Sequence, residues 1–350
     1  MHIRENQPLA PFTTLGIGGP ARWLAEAASE EEVAEAAAWA RERAVPLFVL
    51  GGGSNLLVAD AGFDGLVVRV ALRGITVTDV PAHSDRVPER IYQAAAGEDW
   101  EALVERTVGD SCAGIECLAG IPGTVGGTPV QNVGAYGQEV ASTIEHVRAF
   151  DLEKFEIVEF SAMECGFAYR RSRFNSTDRG RYLVTRVDFR LSAGGAPTLR
   201  YADLQRMFPE GATPTLPEVA AAVRRIRHAK GMLLVEGDPD CRSAGSFFKN
   251  PIVSEQQLQK IAAAVVNQPP RFPAGAGQVK LPAAWLIDQC GFPKGFALGA
   301  AGISSRHTLA LINRGGASAA ELLALASQIT AAVEQRFGIQ LELEPVLVGF

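Results

Sequence analysis

Between Gly114 and Gln138 the chain reads GIECLAGIPGTVGGTPVQNVGAYGQ, a run dense in glycine with no charge block or repeat to mark it as disordered. Glycine has no Cβ and tolerates positive φ, so successive backbone N–H groups can converge on phosphate oxygens at close range. A second loop repeats the theme: Gly51-Gly52-Gly53-Ser54-Asn55 interrupts the apolar run Pro46–Leu50, and Leu56–Val58 resumes it. That pattern predicts strand, loop, strand, with two small polar side chains at the bend suited to a diphosphate. A glycine turn alone is usually only a turn; two such loops in one chain point to a phosphorylated cofactor.

Four polar clusters accompany the loops. Tyr169-Arg170-Arg171-Ser172-Arg173-Phe174 crowds three arginines together, and Arg224, Arg227 and Lys230 recur on one face of a helix beginning near Leu216. Ser246-Phe247-Phe248-Lys249-Asn250 sets polar groups around two aromatics, as at the wall of a pocket for an organic substrate. Near the end, alternation places Glu342 and Glu344 on one face of a strand. Each has a plainer reading: a basic strand end, a solvated helix face, a turn with two core phenylalanines, a solvent-facing strand.

Familiar signatures are missing. Gly16-Ile17-Gly18-Gly19-Pro20-Ala21 has the spacing of a dinucleotide fingerprint, but no apolar strand precedes it and Pro20 falls where a helix should begin, so it reads as a decoy. The Gly51 loop has Leu56 in place of a third glycine, and no Gly-Lys pair occurs to make a phosphate loop. The five histidines form no zinc motif, and Ser246 lacks the second glycine of a hydrolase elbow. No metal is assigned.

A chain of 350 residues, 47% hydrophobic, has length for two or three packed domains. Its net charge of −6 disfavours nucleic acid as the main partner, because neutralising phosphates needs a basic surface. Five cysteines without a CxxC pair and an N-terminus unlike a signal peptide predict reduced thiols and a cytosolic protein, and no apolar stretch suits a membrane span.

To position the loops, capping boxes at Ser29/Glu32, Thr215/Glu218, Ser254/Gln257 and Ser318/Glu321 start helices. Strands are predicted over 66–70, 75–80, 90–96, 144–151, 155–160, 182–191 and, at the end, 339–348. Residues 81–85 read as a surface loop, and the proline-rich stretch 268–277 as a break in the late helical part. The order is α/β early, strand-rich in the middle and helix-rich late, which predicts an α+β protein in separate layers.

In order along the chain, these blocks resemble the UDP-N-acetylenolpyruvoylglucosamine reductase (MurB) family. The resemblance is carried by GGGSN ending at Asn55, Ile121-Pro122-Gly123, Gln131 to Gly137 (QNVGAYG), Tyr169-Arg170-x-Ser172-x-Phe174, Ser246 to Pro251 (SFFKNP) and Glu344. It implies a vanillyl-alcohol-oxidase-type FAD-binding fold in two subdomains, 1–71 with 338–350 and 72–228, plus an α+β substrate-binding domain at 229–337. FAD would be held non-covalently, since neither Gly51–Asn55 nor Ile121–Tyr136 contains a histidine or cysteine for a covalent link. Gly51, Gly52, Gly53, Ser54 and Asn55 would cradle it, with Ile121, Pro122, Gly123, Gly126 and Gly127, then Asn132, Gly134, Ala135 and Tyr136, joined by Arg227. Tyr201 looks like the family form in which a tyrosine-bearing segment closes over the sugar nucleotide; Lys230, Asn250 and Gln289 would also contact substrate.

By the same resemblance, NADPH reduces FAD and UDP-N-acetylglucosamine enolpyruvate then receives the hydride, with Arg170, Ser246 and Glu344 as catalytic residues. Two departures stand out. The chain ends Leu-Glu-Leu-Glu-Pro-Val where the family often has Leu-Glu-Pro-Glu-Val, so counting back from Gly349 selects Glu344 over Glu342; and Val346 stands where the family has an arginine. A monomer with no nucleic-acid or membrane partner is expected. Competing readings are a flavin-dependent alcohol oxidase of the same fold and a non-catalytic nucleotide-binding protein.

Overall fold

The computed structural model describes residues 1–81, 87–266, 268–275 and 277–350; of the loop predicted at 81–85, residues 82–85 lie outside the described residues. Packing divides the chain into two compact units, Met1–Gln7, Ala21–Gly53 and Asp64–Ala229 in one, Pro8–Pro20, Ser54–Phe63 and Lys230–Phe350 in the other.

The first unit is built on an antiparallel sheet in spatial order Glu156–Ser161, Ile144–Asp151, Tyr182–Ala193, Glu89–Ala95, Ile75–Val80. Tyr182–Ala193 is central because its apolar residues bury on both faces: Val184, Val187, Phe189 and Leu191 are all in the core. It runs two residues past the predicted end, since Ser192 and Ala193 pair with Ala113 and Cys112. A four-stranded sheet of Ile3–Pro8, Pro20–Ala27, Phe63–Val70 and Leu47–Leu50 ends in a parallel pair. The helices Glu30–Glu42, Trp100–Gly109 and Leu216–Ala229 turn their apolar faces into the same core, where the Trp100 and Phe189 rings meet at a tilt with centroids 5.7 Å apart.

In the second unit, the helix Ala319–Phe337 starts at the reciprocal Ser318/Glu321 box and stops at Gly338, whose φ of +64° is the left-handed cap that glycine favours. Its first N–H groups, from Ala319 and Ala320, donate to the Asp60 carboxylate at 2.7 and 3.0 Å. Val346–Val348 lies parallel to Leu56–Val58, and Ala297–Leu298, Ala301–Ile303 and Leu311–Asn313 form a small antiparallel sheet. Phe247, Phe248, Leu57 and Leu286 are fully enclosed in this unit's core.

Two expectations shift. The terminal strand predicted over 339–348 forms only at Val346–Val348, preceded by a lone bridge between Phe248 and Leu343, because the 340–345 backbone bonds instead to the turn at Phe247–Lys249. The stretch 268–277 is not merely a break: Phe272–Pro273 pairs as an edge strand with Gln278–Lys280, a position where proline's missing N–H costs no ladder bond. The decoy behaves as one, since Gly18-Gly19 leads into the strand Pro20–Ala27 and no helix.

Candidate functional site

In the first unit the two glycine loops meet backbone to backbone. A Cβ on Gly52 would stand 2.5 Å from the Gly123 Cα, and one on Gly51 would stand 3.0 Å from Thr124 Oγ1. The Gly123 loop is held rigidly: Trp100 N–H donates to the Gly123 carbonyl at 3.1 Å, Val125 N–H to Glu98 at 2.9 Å, and Gly126 N–H to Ala96 at 2.9 Å. Gly126 has a packing reason of its own, because its Cβ would lie 2.6 Å from the Ala96 Cβ, whereas Gly127 faces open space. Beside Gly51, the Thr124 hydroxyl is buried with no hydrogen-bond partner among the described residues. A buried donor left unmade is costly, so this one, between two glycine loops, fits a ligand rich in acceptor oxygens such as a diphosphate. Sequence reading passed over Thr124; its signal was a hydroxyl flanked by Gly123 and Gly126.

Three non-glycine residues of this region hold left-handed backbone: Asn132 at φ +48°, Tyr136 at +48° and Arg170 at +53°. Such conformations cost about 1–3 kcal/mol each and persist where surroundings over-determine them. Those surroundings are visible. The buried Asn132 amide donates to Glu139 (3.0 Å) and the Ala168 carbonyl (3.1 Å), and its oxygen accepts the Ala141 N–H at 3.1 Å. Asn132 is thus a strut whose side-chain amide is engaged by the protein itself. Ser172 Oγ donates to the Val130 carbonyl at 2.6 Å, Asn175 accepts the Ser172 N–H at 2.9 Å, and Asn175 Nδ2 donates to the Arg170 carbonyl at 3.1 Å. This clamp delivers the Arg170 guanidinium to the Gly134 carbonyl, 2.9 Å from Nη2.

The arginine crowd therefore divides by task. Arg173 pairs with Asp178 and covers the Phe160 ring at 4.0 Å, Arg171 is exposed, and Arg170 alone joins the loop. The helix trio divides likewise: Arg224 is paired with Glu101 and Glu105, while Arg227, 7% exposed, donates from Nε to the Gly120 carbonyl at 2.9 Å. Burial pulls the Arg227 pKa below the usual arginine range, against the opposing pull of Tyr136 and Glu101. A desolvated guanidinium on the glycine loop is a strong anion partner. Tyr136 is buried and meets the half-exposed Tyr201 edge-on, ring centroids 5.4 Å apart.

The second unit holds the remaining candidates. Ser246 is half-buried just before Phe247, whose carbonyl accepts the Glu344 N–H at 3.0 Å, so acid and hydroxyl sit on bonded backbones. Asn55 Nδ2 donates to the Glu344 carbonyl at 3.2 Å, and the Asn55 carbonyl accepts the Val346 N–H at 2.9 Å. Glu342 differs sharply: its side chain is 75% exposed and paired with Lys249 at 3.1 Å. Asn250 uses its oxygen to accept the Ala283 N–H at 2.9 Å, satisfying a donor at the start of the helix Ala283–Gln289. Gln289 closes that helix, and its carbonyl accepts from Arg336. Lys230 is the first residue after the helix Leu216–Ala229.

Comparison with known proteins agrees over the full length. Residues 21–160 match the FAD binding domain family model and residues 238–348 the model described as UDP-N-acetylenolpyruvoylglucosamine reductase, C-terminal domain. The UDP-N-acetylenolpyruvoylglucosamine reductase of Streptomyces coelicolor is 46% identical over 99% of this chain and 90% of its own, and that of Thermobifida fusca 45% identical over 99% and 98%. Among solved structures, MurB from Thermus caldophilus superposes with a TM-score of 0.67 at 27% identity, covering 99% of this chain and 100% of its own. The fold is accordingly α+β, with an FAD-binding domain. The chain belongs to the UDP-N-acetylenolpyruvoylglucosamine reductase family, FAD-dependent oxidoreductases that use NADPH to reduce UDP-N-acetylglucosamine enolpyruvate.

Proposed function

We propose that Arg170, Ser246 and Glu344 carry the substrate-reducing step of this reaction. When bound, FAD accepts hydride from NADPH and passes it to the β-carbon of the enolpyruvyl group. The electron pair of the carbon–carbon double bond then moves onto the α-carbon and its carboxylate. Arg170 neutralises that charge, and Glu344 in its protonated form donates a hydrogen bond to it. Ser246 Oγ gives its proton to the α-carbon and recovers one from solvent; a hydroxyl is a weak acid, but the carboxylate enolate is a strong base. The observation supporting the pairing of acid and donor is the Glu344–Phe247 backbone bond beside Ser246.

For the cofactor, the glycines at 51–53, Ser54, Asn55, Ile121, Pro122, Gly123, Gly126, Gly127, Asn132, Gly134, Ala135 and Tyr136 provide backbone, and Arg227 the cation. Thr124 joins them on the strength of its unmatched hydroxyl. Tyr201, Lys230, Asn250 and Gln289 are assigned to substrate. The division into 1–71 with 338–350, 72–228 and 229–337 is kept as a proposal: the change of unit at Ala229–Lys230 lies one residue from its 228/229 boundary, whereas packing joins 338–350 to 230–337. We also propose a cytoplasmic monomer that engages neither membrane nor nucleic acid, the last in keeping with the net charge of −6. No described helix is long and apolar enough to cross a membrane.

The test is Ser246→Ala in stopped flow. FAD content and flavin reduction by NADPH stay close to the parent, while flavin reoxidation by the enolpyruvyl substrate slows about 10²–10⁴-fold. Equal slowing of both half-reactions would reject the proton-donor role.

A further inference from the structure

Ser246 stands on a long irregular segment. Between Ala229, where a helix ends, and Ile252, where a strand begins, the one regular element is the single-turn 3-10 helix Pro239–Cys241. Chain of that kind does not fix a side chain by itself, yet proton transfer demands that it be fixed.

One guanidinium lies at the centre of what holds it. Arg306 Nε donates to Asp240 Oδ2 at 2.9 Å, and Nη2 pairs with Asp238. Asp240, 5% exposed, also accepts the Ser305 N–H at 3.0 Å and the Ser305 hydroxyl at 2.7 Å. Asp238 in turn accepts the Asp240 N–H at 3.0 Å, capping the short helix. The start of the segment packs against this clasp: Gly231 has φ +64°, and a Cβ there would lie 2.9 Å from the Asp240 Cβ and 3.0 Å from Arg306 Nε. Past the clasp the chain is led by single bonds. The Arg242 carbonyl accepts from Asn313 N–H (2.9 Å), the Ser243 carbonyl from Thr14 Oγ1 (2.6 Å), and Phe247 N–H donates to Leu309 (2.7 Å).

We propose that Arg306, by gripping Asp238 and Asp240, is a positioning residue that sets the Ser246 hydroxyl for proton donation. The inference rests on the reading of Ser246 as proton donor. Arg306 touches neither substrate nor cofactor in this role; it removes the slack from the segment that carries Ser246. Burial raises the Asp240 pKa, but the Ser305 and Arg306 hydrogen bonds outweigh it, so both carboxylates titrate below the usual range and keep the clasp ionised at neutral pH. A single lost arm therefore leaves a buried charge poorly matched, and the segment rather than the core relaxes.

The test uses the FAD-loaded enzyme and the variants R306M, R306K and D238N, alone and combined with S246A. R306M is expected to keep its flavin complement and its rate of reduction by NADPH within about twofold, while substrate reduction slows about 10–100-fold. Its solvent deuterium isotope effect on that step rises, because proton transfer becomes limiting. R306K and D238N, which lose one arm each, fall between R306M and the parent, and they carry the test if R306M does not fold. Added to S246A, each clasp variant costs less than about threefold more, since the group it positions is already gone. Losses that multiply in the double variants, equal slowing of both half-reactions, or an unchanged isotope effect would overturn the assignment. An S246A enzyme with normal substrate reduction would instead remove the proton-donor reading, and the clasp's purpose with it.

Discussion

Glu344 and Glu342 are two residues apart and chemically identical, yet their surroundings separate them. Glu342 projects into water as half of an exposed ion pair with Lys249, an arrangement worth about 0–1 kcal/mol. Glu344 is half-buried on backbone bonded to Phe247 and Asn55. If Glu344 acts as a neutral hydrogen-bond donor, Glu344→Gln retains far more substrate reduction than Glu344→Ala, because an amide still donates where a methyl cannot. Glu342→Ala stays within about threefold of the parent, as expected for a weak surface pair. Rates at saturating substrate, on variants confirmed to hold FAD, decide it; a severe Glu342→Ala defect beside a near-normal Glu344→Ala enzyme would show that the other acid is the active one. The choice of Glu344 was legible only by counting through a displaced proline. Its physical basis, the contrast in burial, depends on where the chain folds back on Phe247, which no local pattern encodes.

At the scale of elements the sequence was most legible where one rule acts alone. The Ser254 and Ser318 boxes form as read, and the strands at 75–80 and 144–151 form with the expected bounds. At Ser29 the box is half made: Ser29 accepts the Glu32 N–H, but Glu32 turns to the Ala28 N–H at 2.7 Å. What the sequence hid is long-range pairing, such as Gly52 against Gly123. Gly52→Val would press its Cβ into that backbone, so the protein should purify with well under half its flavin while Gly109→Ala, in open space at the end of the helix Trp100–Gly109, keeps most of it. Flavin absorbance after gel filtration measures this, and a full complement in Gly52→Val means the loop is no cradle. Another hidden pairing anchors the first helix. Glu30 receives both arms of Arg148, at 2.8 and 2.9 Å, and the Thr185 hydroxyl at 2.7 Å. Arg148 chiefly, with Thr185, outweighs burial and holds the Glu30 pKa below its ordinary value. A depressed carboxylate stabilises the fold fully above its unfolded pKa of about 4.3 and loses that stabilisation as pH falls through the folded value. Glu30→Gln should thus cost about 1–2 kcal/mol at pH 7, with the gap to the parent closing below about pH 4. Urea midpoints at the two pH values test it, and a constant gap would mean the carboxylate's charge is not what stabilises.

Over the whole molecule, the two matching family models cover contiguous stretches, 21–160 and 238–348, but packing does not respect that order. The unit that contains Lys230–Phe350 also takes in Pro8–Pro20 and Ser54–Phe63. Those two short pieces supply Leu15, Ile17 and Leu57 to its core, all 3% exposed or less, and Leu56–Val58 is the strand beside Val346–Val348. They also supply Asp60, which caps the helix Ala319–Phe337, and the Leu15 carbonyl that accepts from Asn313 at 3.1 Å. At about 1.5–3 kcal/mol for each large apolar side chain, the three core residues alone approach the total stability of a typical domain. A fragment of residues 230–350 should therefore fail to fold cooperatively, although the C-terminal family model lies wholly inside it. Expected are a broad thermal transition and poorly dispersed amide resonances. A sharp transition with a dispersed spectrum would show that the late helices and short strands form a self-sufficient domain, and that the two early segments are additions to a core that does not need them.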